Sequence, residues 1–152
     1  MRIVRNRTSA DCVIAAIACV ADLDYDDVLA AAMPIVPYCQ IEGVSVVDEL
    51  RILDSLGIAY EEKLPSCSVL HKGNRYLITV PSTRDPLTEG HRLTIDFAED
   101  FCVYDCYAND GDFYHESAED ALRLTKFYEV VRVIPHSVES TRRSIGEEEE
   151  YW

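Results

Sequence analysis

Residues 11–33 read DCVIAAIACVADLDYDDVLAAAM. From Cys12 to Ala21 every residue is apolar and alanine recurs, with Ser9 and Asp11 ahead of the run as candidate caps. Such a segment is predicted to be a helix buried on most of its sides. A thiol stands at its first position. The positive end of a helix favours a thiolate, and a neighbouring imidazolium does the same. Cys12 stands where the first of these acts, whereas Cys19, about two turns further along, lies beyond that field. On helix position alone an inert buried thiol is the plainer reading, since free cysteines are commonly core residues.

Working outward, Asp24 can cap a second helix, Tyr25–Met33, which Pro34 ends. Ser45 followed by Asp48 and Glu49 resembles a capping box and opens a third helix, Val46–Leu56. Its predicted apolar stripe is Val46, Leu50, Leu53 and Leu56, and Gly57 is a natural stop. The chain then becomes rich in β-branched and aromatic residues. Strands are predicted over Ile58–Leu64, Tyr76–Val80, His91–Phe97, Phe101–Cys106 and Tyr128–Ile134. A short helix is expected over Ser117–Thr125. Helices followed by an antiparallel sheet make the expected class α+β. A domain of residues 1–136 is followed by an acidic tail, 137–152, which ends in Glu147–Glu150, Tyr151 and Trp152.

His91 opens a strand and so can reach a cleft. The turn at Ala98–Asp100 folds the next strand back, placing residue 94 opposite 104 and bringing Asp105 towards His91. Asp105 is expected to accept the Nδ1 proton of His91, leaving Nε2 for the Cys12 thiol. A strand-end turn carboxylate is the plainer reading of Asp105. His71, His115 and His136 lie in polar settings and are expected to be solvated. Acyl transfer also needs oxyanion donors, for which the backbone N–H of Cys12 and the side chain of Asn6 are candidates.

At 152 residues the chain suits one domain, and its 48% hydrophobic content is that of a globular protein. The net charge of −14 argues against gripping nucleic acid and leaves open a partner with a basic surface. No apolar run is long enough to cross a bilayer, so no membrane association is expected. Residues 1–8 carry three arginines with no apolar core behind them, so no signal peptide is expected. The six cysteines include no CxxC pair. Cys102 and Cys106, four apart on a strand, would be separated by about 13 Å. Reduced thiols in a cytoplasm are therefore expected, with no metal and no cofactor.

Together these residues resemble the bacteriocin-processing (double-glycine) peptidases and their papain-like relatives. In that family Asp-Cys opens an alanine-rich helix and Tyr-x-x-Val lies in the second; Asp11-Cys12, Ala15-Ala16, Tyr25 and Val28 match here. GVSVVDELRILDSLGIAYE (43–61) is similar to the family's next helix and strand. LITVPS (77–82), EGHRLTID (89–96) and VYDC (103–106) are similar to its catalytic sheet, with His and Asp in the same order. The match spans about residues 6–107. It implies a papain-like cysteine-peptidase fold and a thiol peptidase cleaving a peptide or isopeptide bond in a protein or peptide substrate. The implied catalytic residues are Cys12, His91 and Asp105, with Asn6 at the oxyanion hole. Asn6 stands where the family has glutamine, and Val13 where it usually has glycine. Nothing resembles the transporter regions joined to those peptidases, which implies a free-standing domain. Two rivals stay open: a non-enzymatic binder or inhibitor on the same fold, engaging a basic partner or a second copy through the acidic tail, and a thiol amidase or acyltransferase.

Overall fold

A computed structural model describes residues 4–63, 70–81, 90–100, 102–106 and 129–134. The expected helix at 117–125, the tail, Cys67, His115 and His136 lie outside these residues. Among the described residues there are three helices, α1 (Cys12–Ala21), α2 (Tyr25–Ala32) and α3 (Val46–Ser55). Five strands accompany them: β1 (Ala59–Lys63), β2 (Asn74–Pro81), β3 (Gly90–Phe97), β4 (Cys102–Tyr104) and β5 (Glu129–Ile134). The strands form one sheet in the order β1-β5-β2-β3-β4, with every pairing antiparallel.

α1 is buried from Val13 to Val20, as its unbroken apolar sequence requires. It lies on β3, where the Thr94 hydroxyl donates to the Ala16 carbonyl at 3.2 Å. Its C-terminus closes through Asp22 in the left-handed region (φ 56°), with the Leu23 N–H donating to the Ala18 carbonyl. Arg75 on β2 reaches this end, donating to the Val20 carbonyl at 3.3 Å and pairing with Asp22 at 2.8 Å. A cation there complements the negative pole of the helix.

Two expectations about helix ends and faces need correction. Asp11 precedes α1 but its side chain makes no cap bond, because its backbone (φ −103°, ψ 24°) is outside the extended region a capping residue needs. The stripe of α3 is also rotated. Glu49, Ile52 and Leu53 are the buried residues, while Leu50 and Leu56 are only partly covered. A carboxylate can occupy that face because Arg92 meets it there. The Ser45 cap is as expected, its hydroxyl accepting from the Asp48 N–H at 3.2 Å.

The helix-facing side of the sheet contributes Leu77, Val131 and Val133 to the helical core. Its other side buries Tyr76, Ile78, Leu93, Ile95, Val103 and Val130 in a second cluster. β2 is therefore apolar on both faces, which is why Tyr76, Leu77 and Ile78 run together without alternating, whereas β3 keeps its alternation of Leu93, Ile95 and Phe97 with Arg92, Thr94 and Asp96. The β3–β4 register pairs Thr94 with Tyr104 and Asp96 with Cys102, as the turn predicted. Among the described residues no helix is long and apolar enough to cross a membrane.

Candidate active site

The site lies where three chain ends converge: the N-terminus of α1, the beginning of β3 and the residue after β4. Cys12 is the first residue of α1 and is partly buried. The first N–H groups of a helix have no intrahelical acceptor, so this position is electropositive. His91 is the second residue of β3. Continuing the β3–β4 register by one step sets Asp105 across from Leu93 and diagonal to His91.

His91 Nε2 lies 2.7 Å from Asp105 Oδ1, with the two side chains 15% and 27% exposed. Cys12 also acts on the imidazole, raising its pKa after Asp105. It is Nε2, not the expected Nδ1, that is turned to Asp105. The diagonal between neighbouring strands is about 7–8 Å, so the ring nitrogen farther from the backbone spans it. Burial works against the imidazolium, but Asp105 and then Cys12 outweigh it and raise His91 to about 9. At neutral pH the histidine therefore carries a proton.

The other described thiols are in different surroundings. Burial pushes Cys19 up to about 11, and its sulfur ties residue 4 to the helix, accepting from the Val4 N–H and donating to the Val4 carbonyl. Burial also raises Cys39 and Cys106. The described cysteines, Cys12, Cys19, Cys39, Cys102 and Cys106, form no disulfide. Among the described residues no group of three or more His, Cys, Asp or Glu side chains is placed to hold a metal. Asn6 lies in the segment leading into α1, and its amide N–H donates to the Thr8 carbonyl at 2.8 Å. His71 is exposed.

Glu49 and Arg92 escaped sequence reasoning. Arg92, next to His91, is 2% exposed in its side chain and Glu49 is 0%. The guanidinium grips both carboxylate oxygens, with Nε 2.8 Å from Oε2, and Nη1 donates to the Thr79 hydroxyl at 2.5 Å. This pair anchors α3 to the start of β3. Its local signal was weak, since a glutamate in a first helical turn and an arginine in a strand each look like surface residues.

No known sequence family matches the chain, and no curated protein matches it. Solved structures match it in three dimensions. The peptidase domain of Streptococcus ComA, a bifunctional ABC transporter involved in a quorum-sensing pathway, superposes with a TM-score of 0.59, covering 88% of this chain and 97% of that one. The chain has the papain-like cysteine-peptidase fold. Sequence identity in that comparison is 12%, so the likeness is carried by topology. The peptidase domain of Streptococcus mutans ComA, solved with a small-molecule inhibitor, gives a TM-score of 0.52 at 10% identity over 89% of this chain and 100% of that domain. In this papain-like frame, a helix carrying Cys12 at its N-terminus lies against the strand that carries His91 as its second residue.

Proposed function

We propose that the chain is a cysteine peptidase acting on a peptide or isopeptide bond, with Cys12 as nucleophile, His91 as acid and base, and Asp105 as the residue that orients the imidazole. The observation that carries this reading is His91 bonded to Asp105 through Nε2, with its pKa raised by Asp105 and then by Cys12. At neutral pH the resting pair is an imidazolium and a thiolate. The thiolate attacks the substrate carbonyl, and the oxyanion forms near the Cys12 N–H and the Asn6 amide. Collapse expels the amine, which takes its proton from His91. Neutral His91 then removes a proton from water, whose oxygen attacks the thioester. The acid leaves and Cys12 is regenerated as a thiolate beside a protonated His91. Such a thiol needs a reducing compartment, which favours a cytoplasmic location.

The test is alkylation of the six cysteines by iodoacetamide at pH 6, with the modified residue read by peptide mass mapping. Cys12 should react first, and His91→Ala should remove its advantage. Equal labelling of the accessible cysteines in the unmodified protein would refute the ion pair. Product analysis with hydroxylamine as competing acceptor separates hydrolysis from acyl transfer. The net charge of −14 favours one other reading, a binder that engages a basic partner on this fold. Function that survives Cys12→Ala would select it.

A further inference from the structure

Tyr25 and Asp11, which match the family pattern, take no part in the triad, yet they are bound to each other in the core. Asp11 is 0% exposed. Its Oδ2 accepts from the Arg7 N–H at 2.7 Å, the Thr8 N–H at 3.2 Å and the Tyr25 hydroxyl at 2.5 Å. The Tyr25 oxygen accepts in turn from Gln40 Nε2 at 3.0 Å. Thr8 joins the same network. Its hydroxyl donates to the Gln40 carbonyl at 2.6 Å and accepts from the Ala10 N–H at 3.2 Å. Its carbonyl holds the Asn6 amide at 2.8 Å. Arg7 covers the Tyr25 ring, its guanidinium carbon 4.1 Å from the centroid.

Two features of this network are not what stability alone or thiol activation would call for. Asp11 Oδ1 is buried with no hydrogen-bond partner, a costly arrangement for a carboxylate. A negative charge next to Cys12 also opposes a thiolate, so its electrostatic sign is wrong for activating the nucleophile. What the network does is geometric: it ties the segment carrying Asn6 to α2 through Asp11 and to residue 40 through Thr8. We propose that Asp11, Tyr25 and Thr8 are positioning residues that hold the Asn6 segment for transition-state stabilisation while leaving the nucleophilicity of Cys12 unchanged. This inference rests on the hydrolase reading.

Two probes divide the roles. Iodoacetamide reports thiolate nucleophilicity by a displacement that forms no oxyanion. p-Nitrophenyl acetate acylates Cys12 through a tetrahedral oxyanion: the S–C bond forms, the C–O bond breaks and p-nitrophenolate leaves. Tyr25→Phe keeps the ring under Arg7 and removes the hydroxyl. It should slow acylation about 10-fold or more, since small misplacements of oxyanion donors are costly. Alkylation should stay within about twofold. Asp11→Asn should slow acylation while leaving alkylation equal or faster, because a charge opposing the thiolate is gone. Thr8→Val, which keeps the side-chain shape, should behave as Tyr25→Phe and serves if that variant does not fold. Unchanged acylation in these variants, or parallel loss of both rates with a fallen melting temperature, overturns the positioning role and leaves the hydrolase reading standing. If the unmodified protein is acylated no faster than N-acetylcysteine at the same pH, the hydrolase reading fails and this inference falls with it.

Discussion

Replacing Asp105 by Asn tests what holds the proton on His91. The imidazole is raised from 6.5 to about 9 although it is largely buried, and burial alone would push it the other way. At 1.36 kcal/mol per unit the net preference for the imidazolium is about 3 kcal/mol. Asp105 supplies the larger favourable part and Cys12 the rest. Cys12 also raises His91, so the measurement belongs in a Cys12→Ala background, where Asp105 is left as the cause opposing burial. There His91 should still titrate above 6.5. Adding Asp105→Asn leaves burial unopposed and should lower the value by at least about one unit, or about 1.4 kcal/mol. NMR titration of the imidazole Cε1–H reads this directly. Stability should follow with a definite sign. A folded pKa above the unfolded one stabilises fully below pH 6.5, and that contribution is lost as pH rises through the folded value. Cys12→Ala should therefore lose the Asp105 share, less than about 3 kcal/mol, in urea unfolding between pH 6 and 9.5, and the double variant should lose much less. A His91 pKa that Asp105→Asn leaves within 0.3 unit, or about 0.4 kcal/mol, would refute the reasoning.

Glu49→Leu should cost about 3–5 kcal/mol in urea unfolding, because it leaves Arg92 charged and buried at 2% exposure. Glu49→Leu with Arg92→Met should recover most of that loss, and a double variant worse than either single one would show that the pair is not coupled. Ser45→Ala removes the hydroxyl that accepts from the Asp48 N–H and should cost about 1 kcal/mol by the same assay, with Cys12 alkylation unchanged. Deleting residues 139–152 removes Glu147–Glu150, Tyr151 and Trp152 and should leave the melting temperature and Cys12 alkylation unchanged. On an immobilised cationic surface the intact chain should bind more tightly than the truncated one, and the difference should vanish as salt rises.

Local chemistry was enough to define the elements. An unbroken apolar run defined α1 from Cys12 to Ala21 to the residue, since such a segment can be satisfied only by burial on all sides. The Ser45 cap and the turn at 98–100 each depend on a few neighbouring residues, so the third helix start and the pairing of Thr94 with Tyr104 were legible. Cys12, His91 and Asp105 could be singled out as candidates because each stands near the end of an element, where side chains can meet clefts. What needed the tertiary structure involves partners far apart in the chain. β5 lies between β1 and β2, a placement set by long-range pairing that no local pattern encodes. The orientation of the His91 ring depends on the strand diagonal to Asp105 and on where α1 begins. Glu49 is inside only because Arg92, 43 residues later, meets it there. Asp11 looked like a helix cap, but its backbone angle and the hydroxyl of Tyr25 draw its carboxylate into the core instead. Periodicity and end signals report the one-dimensional neighbourhood of a residue, whereas the fate of a buried charge depends on which distant group the fold brings to it.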